Sequence, residues 1–211
     1  DLWIENGRIR DFPGSFQFRT GLRRIVEQFN PDLRLTPHHN VILANIRDED
    51  AAAIQALLDE YRIPTDTGIS TLRRMEMACP ALPSCGLALA EAERFLPSVV
   101  TDLERAGHGD AELVLRMNGC PNNCARSITA ELGVIGCGSG LYTIYTGGGH
   151  TGARLGQTFL DRVPAGEVSD VLSALLTVWK EERHRDERFG DWSFRVGTDE
   201  LKEKIQRAVN G

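Results

Sequence analysis

Four of the five cysteines in the chain form two closely spaced pairs. Five residues separate Cys79 from Cys85, and three residues separate Cys120 from Cys124. Cysteine binds metals as the soft thiolate, and two short loops that each carry two thiolates are typical of a four-thiolate metal or cluster site. The spacing therefore predicts that two separate loops meet in the folded protein and hold iron or zinc between them.

The length of the first gap favours an iron–sulfur cluster over zinc. Zinc sites commonly use cysteine pairs separated by two to four residues, which the five-residue gap between Cys79 and Cys85 fits poorly. Two disulfides are a third interpretation, disfavoured in a reducing compartment. The fifth cysteine, Cys137, has a glycine on each side and is expected to be a spare thiol.

Composition and charge argue against several classes of partner. The net charge is −6 and the pI is near 5.4, and no run of lysine and arginine is long enough to bind a phosphate backbone. We therefore expect no nucleic acid partner. No apolar stretch is long enough to span a bilayer, and the first twenty residues do not have the pattern of a signal peptide. These observations predict a soluble, cytoplasmic protein without a membrane partner.

The hydrophobic pattern predicts an α/β (α+β) chain of two domains. Residues 1–74 alternate predicted strands and helices and form a small α/β unit, with a linker at 64–70. Residues 75–211 contain every cysteine. The chain starts at Asp1 directly before a predicted strand over residues 3–10, which suggests a piece of a longer polypeptide.

The residues after each cysteine pair have helical propensity. We predict helices over 88–95, ended by Pro97, and over 125–132, so that Cys85 and Cys124 would lie at helix N-termini. The positive end of a helix dipole stabilises thiolates, which favours an anionic centre. A strand is predicted over 112–117 and another over 192–196, and a long amphipathic helix is predicted around 168–179.

Both cysteine motifs resemble those of a known family. Residues 77–85 (MACPALPSC) with 90–94 (AEAER), and residues 119–126 (GCPNNCAR) with 130–133 (AELG), are similar to the cluster motif of assimilatory sulfite reductase hemoproteins. Weaker similarity covers residues 6–8, 36–43, 147–154 and 189–191. The resemblance spans nearly the whole chain, but it matches only the C-terminal half of the family members.

The resemblance implies a specific architecture and reaction. A ferredoxin-like nitrite/sulfite reductase repeat over 1–74 would precede a mixed α/β domain over 75–211 that binds siroheme and a 4Fe–4S cluster. Cys79, Cys85, Cys120 and Cys124 would ligate the cluster, Cys124 would also ligate the siroheme iron, and Asn122 would lie beside the siroheme. The reaction implied is the six-electron reduction of sulfite to sulfide, with Cys124 as the catalytic bridge.

The resemblance also implies partners that this chain does not contain. They are the missing N-terminal half of the enzyme, sulfite, and an electron donor that is a ferredoxin or a flavoprotein. The isolated chain is expected to be inactive. Three alternatives stay open: a ferredoxin-type nitrite reductase, an iron–sulfur electron carrier without siroheme, and a zinc-stabilised interaction module.

A few further residues are candidates for anion binding. His38 and His39 are adjacent in a predicted strand, so at most one can face an anion. The glycine run 147–149 offers free amides for a carboxylate or phosphate, although three glycines also make an ordinary turn. Arg116 and Arg126 flank the second cysteine pair, where they could balance its charge or lie at the surface.

Overall fold

The computed structural model describes residues 1–210, and the chain divides into two compact units. The first is Asp1–Ser70 and the second begins at Thr71, four residues before the predicted second domain. Helix α3 begins at this point (Thr71–Met75), so the predicted boundary would cut through it. Within the described residues no helix is long and apolar enough to cross a membrane.

The first unit packs two helices with a two-stranded hairpin. Helices α1 and α2 span Phe18–Phe29 and Ala51–Glu60, and strands β1 and β2 span Asp32–Leu35 and Val41–Ala44 in antiparallel pairing. The predicted strand over 3–10 is instead a 3₁₀ turn, Glu5–Gly7, that follows an isolated bridge at Leu2. The core is built from apolar side chains of the N-terminal segment, α1, β2 and α2: Trp3, Ile4, Phe18, Ile25, Val41, Ile54 and Leu58.

The second unit is built on a mixed five-stranded sheet. Its strands follow chain order across the sheet: β3 (Glu76–Ala78), β4 (Leu115–Asn118), β5 (Leu132–Gly138), β6 (Leu141–Thr146) and β7 (Gln157–Pro164). The first three strands run parallel, and the last two add by antiparallel pairing. Parallel neighbours require crossover connections, and these connections carry the four paired cysteines.

Four further helices belong to the second unit: α4 (Leu96–Arg105), α5 (Ala165–Glu182), α6 (Phe189–Val196) and α7 (Thr198–Asn210). The long amphipathic helix is confirmed as α5, whose buried residues include Leu172, Leu175 and Leu176. The strand predicted over 192–196 is wrong, because this segment lies in α6. Phe189 and Trp192 are three residues apart, so a helix buries both on one side, where their rings are in contact.

Candidate metal centre

The two cysteine loops start at the same edge of the sheet. Strands β3 and β4 are parallel neighbours, with Met77 aligned to Arg116 and Ala78 to Met117. Cys79 directly follows β3, and Cys120 follows β4 after a single glycine. Since parallel strands end at the same edge, the fold brings together two loops that are about forty positions apart in the chain.

Direct contacts join the two loops. The amide of Gly119 donates to Cys79 Sγ at 3.3 Å, and the amide of Cys79 donates to the Met117 carbonyl at 3.0 Å. A Cβ atom on Gly119 would lie 2.5 Å from Ala81 Cβ and 2.6 Å from the Ala90 carbonyl oxygen. Only glycine permits this approach, so Gly119 sets how closely the first loop packs on the end of β4.

The helix predicted over 88–95 does not form. The amides of Leu89 and Ala90 donate to the Gly119 carbonyl at 2.8 and 3.0 Å, and the amide of Glu93 donates to the Cys79 carbonyl at 3.1 Å. The Glu93 amide is a donor that a helix over 88–95 would use for itself, and all three bonds tie the segment to the cysteine loops. Pro97 lies in the first turn of α4, where proline is tolerated, so it marks the start of a helix and not the end of one.

The helix predicted over 125–132 is also wrong. The segment contains a single 3₁₀ turn, Ser127–Thr129, and then enters β5. Asn123 and Arg126 have positive φ angles of 59° and 60°, which interrupt helical geometry on the Cys124 side of the loop. Neither Cys85 nor Cys124 therefore lies at an α-helix N-terminus, and the helix-dipole argument for an anionic centre does not apply.

The four paired thiols differ in exposure. Cys79 and Cys120 are buried at 8% and 6% exposure, Cys85 is half-buried, and Cys124 is exposed. Burial raises the pKa of the Cys79 thiol, the Gly119 amide opposes that rise, and repulsion from Cys124 and Cys120 adds to it. Cys79 therefore lies within electrostatic range of both Cys120 and Cys124. All five cysteines are free thiols, so the disulfide interpretation is wrong.

The thiols are not arranged around one point. Across residues 1–210, no three His, Cys, Asp or Glu side chains are placed to hold a metal ion together. In a 4Fe–4S cluster each thiolate binds a different iron, so the ligands of a cluster do not share one ion. The assignment of the four cysteines as ligands stays a prediction.

Two buried polar side chains of β4 lie behind the second loop. Arg116 and Asn118 are two residues apart and so face the same side of the sheet. Arg116 Nη1 donates to the Ala125 carbonyl at 3.1 Å, and Asn118 Oδ1 accepts from Ser127 Oγ at 2.6 Å. Their other nitrogens, Arg116 Nε and Asn118 Nδ2, are buried and have no hydrogen-bond partner among the described residues.

Arg116 carries a buried positive charge beside the cysteine loops. Its side chain has no carboxylate partner in the described part of the chain, and the residue is 8% exposed. Burial, assisted by nearby Arg126, lowers the pKa of Arg116 to about 10, so the group stays charged at neutral pH. Asn118 is fully buried, and its side-chain amide carries two N–H donors. Neither donor has an acceptor among the described residues. A cation and a donor without acceptors fit an anionic, sulfur-rich group in front of them.

The end of the second loop is held by an acidic residue that the sequence does not single out. Glu131 is 1% exposed, and each of its carboxylate oxygens accepts one backbone N–H and one guanidinium N–H. Oε1 accepts from Gly190 and Arg188 at 3.2 and 3.1 Å, and Oε2 accepts from Val114 and Arg188, both at 2.9 Å. This carboxylate connects the start of β5 with the segment before β4 and with α6.

The remaining candidates belong to other segments of the chain or already have partners. His38 and His39 lie in the turn between β1 and β2 of the first unit, so the strand predicted for them is wrong. The glycine run 147–149 follows β6, where the Gly147 carbonyl accepts from Arg154 at 2.6 Å. Arg154 also pairs with Asp191 at 2.7 Å. Cys137 lies at the irregularity in β5 where the pairing with β6 shifts register.

Asn122 lies exposed in the second cysteine loop, two residues before Cys124. The neighbouring Asn123 has a structural role, because its Oδ1 accepts from the Ile128 amide at 3.1 Å. The orientation of the exposed Asn122 toward siroheme stays a prediction.

Comparison with known proteins decides the family. Residues 111–210 match the model of the nitrite and sulphite reductase 4Fe-4S domain, and residues 4–61 match the nitrite/sulfite reductase ferredoxin-like half domain. Together these matches cover most of the chain, in the order that the cysteine motifs predicted. The chain belongs to the nitrite and sulfite reductase family.

Similar proteins from two bacteria carry the same name. The hemoprotein beta-component of NADPH sulfite reductase from Methylobacterium radiotolerans is 44% identical over 100% of this chain and 33% of its own length. That of Shouchella clausii is 42% identical over 93% of this chain and 35% of its own length. The chain therefore spans about a third of the length of the curated relatives it matches.

Solved structures confirm the fold class. The Mycobacterium tuberculosis NirA protein superposes with a TM-score of 0.74 at 26% identity, over 86% of this chain and 36% of that one. Dissimilatory sulfite reductase I superposes with a TM-score of 0.73 at 14% identity, over 97% of this chain and 68% of that one, and shows the fold alone. The predicted α/β (α+β) reductase architecture is thus confirmed.

Proposed function

We propose that this chain is the cluster-binding part of a sulfite reductase hemoprotein. The observation that carries the proposal is the meeting of the two cysteine loops at the ends of parallel strands β3 and β4, joined by the bond from the Gly119 amide to Cys79 Sγ. Relatives 42% and 44% identical to it are named sulfite reductase hemoproteins, which supports sulfite as the substrate.

Cys79, Cys85, Cys120 and Cys124 would hold a 4Fe–4S cluster, and the gradient of exposure suggests a role for each. The buried Cys79 and Cys120 would anchor the inner side of the cluster, and the exposed Cys124 would face outward. A thiolate that also ligates the siroheme iron needs an open side, and Cys124 is the only exposed thiol among the five. Asn122, exposed in the same loop, would lie beside the macrocycle.

The bound cofactors would supply one-electron transfer and a site for sulfite. In the overall reaction, sulfite takes up six electrons and eight protons and yields hydrogen sulfide and three water molecules. The part played by this chain is positional and electrostatic. Gly119 lets the first cysteine loop pack closely on the end of β4, and Arg116 places a positive charge behind the second cysteine loop. A buried cation beside the cluster would stabilise the added negative charge of its reduced state.

The complete reaction would need partners beyond this chain. We propose that the rest of the enzyme, about two thirds of the relatives' length, completes the siroheme and sulfite pocket, and that a ferredoxin or flavoprotein supplies the electrons. The relatives' name, the beta-component of an NADPH enzyme, supports a further subunit as the donor. The isolated chain is then expected to bind the cluster and not to reduce sulfite. The cytoplasmic location stays a prediction.

Anaerobic reconstitution of the chain with iron and sulfide tests cluster binding. We expect about four iron and four acid-labile sulfide atoms per chain and the broad brown absorbance of a cluster. Alanine replacement of Cys120 should abolish this absorbance, whereas replacement of Cys137, a thiol outside the two pairs, should leave it unchanged. One zinc per chain with no bound iron would show instead that the site is a zinc module.

The siroheme and substrate assignments need the longer enzyme. In a protein extended to the full length of its relatives, Cys124→Ser should retain the visible bands of siroheme but abolish sulfite reduction by a strong reductant. Assaying nitrite beside sulfite addresses the second candidate substrate, because the matching family models cover both reductases. A higher kcat/KM for nitrite would assign the chain to the nitrite branch.

A further inference from the structure

The amide of Asn118 is a donor without an acceptor at the edge of the cysteine site. The residue ends β4, is fully buried, and its Oδ1 accepts from Ser127 Oγ at 2.6 Å. That bond fixes the plane of the amide, yet Nδ2 has no hydrogen-bond partner among residues 1–210. Leaving a buried donor unpaired costs stability, so such a group commonly marks a place where something else binds.

The position of Asn118 limits what that acceptor can be. Ala78 of β3 is aligned with Met117 of β4, so Cys79 and Asn118, the residues that follow them, lie side by side. Cys120 follows Asn118 by two residues. The amide that follows Asn118, that of Gly119, already donates to Cys79 Sγ. The Asn118 amide therefore lies close to cysteines of both pairs. The acceptor expected beside it is a sulfur atom.

The loop that covers Asn118 leaves little room for movement. Gly133 of β5 is aligned with Arg116, and a Cβ atom on Gly133 would lie 2.2 Å from the Ser127 carbonyl oxygen. Ser127 is itself fully buried, so the loop is packed directly on the strands. The Ser127 hydroxyl therefore holds the Asn118 amide in one orientation and leaves both N–H bonds directed elsewhere.

We propose that Asn118 Nδ2 donates a hydrogen bond to a sulfur of the bound cluster, with Ser127 orienting the amide. The inference rests on the proposed cluster site and adds a residue that tunes it. A hydrogen bond to sulfur stabilises the more negative, reduced state and raises the reduction potential of a cluster. Asn118 is thus a positioning and tuning residue, and it does not ligate iron.

The test compares the cluster reduction potential of Asn118→Leu with that of the wild type, by redox titration followed by electron paramagnetic resonance. Leucine has nearly the same size and shape as asparagine and removes both N–H donors. We expect the ratio of reduced to oxidised cluster at a fixed potential to fall about tenfold, which is a shift of about 59 mV for a one-electron couple. An unchanged potential would overturn the proposal.

Ser127→Ala is the matched control, because it removes the same Asn118–Ser127 hydrogen bond but keeps the amide N–H groups. Its potential should fall by less than half as much as that of Asn118→Leu. Equal shifts in the two variants would show that the effect comes from disturbed packing and not from the donor, and would refute the proposal.

A second measurement covers the case in which Asn118→Leu does not retain the cluster. Protein grown with ¹⁵N-asparagine should show a ¹⁵N hyperfine coupling to the reduced cluster that survives in Asn122→Asp and Asn123→Asp and is lost in Asn118→Asp. Absence of that coupling in a loaded wild-type protein would overturn the inference while leaving cluster binding established. Failure of the wild type to bind iron would instead overturn the proposed function, and this inference with it.

Discussion

Replacing Glu131 by glutamine should be strongly destabilising, although the two side chains have nearly the same shape. Each carboxylate oxygen accepts from one backbone N–H and from the Arg188 guanidinium. Glutamine has only one such oxygen. Whichever way its amide is turned, the amide nitrogen faces either the Val114 or the Gly190 backbone donor and one N–H of Arg188.

The magnitude follows from these contacts. One buried backbone donor left without an acceptor costs about 1–3 kcal/mol, and two charge-assisted bonds to Arg188 are lost or reduced to a single bond to a neutral acceptor. Arg188 keeps its 2.8 Å contact with Glu112, which limits the cost of the remaining charge. We therefore expect a loss of about 3 kcal/mol, toward the lower end of the range for breaking a buried ion pair.

Glu112→Gln is the matched control, because it removes the other carboxylate bound to the same arginine. The Glu112 side chain is 70% exposed, whereas that of Glu131 is 1% exposed, so the loss at Glu112 should stay below about 1 kcal/mol. The contrast between the two variants isolates burial as the cause.

Urea denaturation monitored by tryptophan fluorescence measures both variants. Trp179 and Trp192 lie in the core of the second unit, and a Trp3→Phe background removes the signal of the first unit. With a slope of about 2 kcal/mol per molar urea, the midpoint of Glu131→Gln should fall by about 1.5 M. A fall of the same small size in both variants would refute the reasoning.

Three further predictions concern the site and its surroundings. Gly119→Ala should push the loops apart and lower the iron and sulfide content after reconstitution, whereas Gly86→Ala, where an added Cβ meets nothing within 4 Å, should leave it unchanged; full iron content in Gly119→Ala would contradict the role assigned to that glycine. Burial, followed by the charge of Lys180, lowers the pKa of His108, so the unfolded chain takes up a proton near pH 6.5 and the folded chain only at lower pH. Stability should fall as the pH drops below about 6.5, and His108→Gln should flatten that slope in denaturation midpoints measured from pH 7 to 5; an unchanged slope would argue against a neutral buried ring. Arg116→Met should stabilise the cluster-free protein by about 1–3 kcal/mol, because an unpaired buried charge is removed, and should destabilise the loaded protein; changes of the same sign in both forms, measured by urea denaturation, would argue against Arg116 as a counter-charge.

The family was accessible from the sequence because its cysteine motifs depend on residue type and short-range spacing. The pairs Cys79/Cys85 and Cys120/Cys124, with their flanking residues, predicted the family that the comparisons confirm. Helix α5 was equally predictable, since it keeps a long apolar stripe at helical spacing. An apolar repeat of that length distinguishes a helix from a strand even where individual residues suit either.

Short segments near the site were predicted wrongly for a common reason. Residues 88–95 have helical propensity worth only a few tenths of a kcal/mol per residue, and the bonds from Leu89, Ala90 and Glu93 to the cysteine loops outweigh it. Residues 192–196 alternate in a way that also suits a strand, and burial of Trp192 beside Phe189 decides in favour of a helix. For residues 88–95 the competing energies come from residues distant in the chain, whereas for 192–196 the deciding contact lies within the helix itself.

The sequence by itself determined the family and the long helix α5, both of which depend on patterns within a few turns of chain, and it predicted the four paired cysteines as ligands. Only the tertiary structure decided that Arg116 and Asn118 face the second cysteine loop and that Glu131 holds it in place. These roles arise from strand register and burial. A polar side chain becomes significant when it is removed from water, and which side chains are removed is settled only when the sheet and its crossover loops pack together.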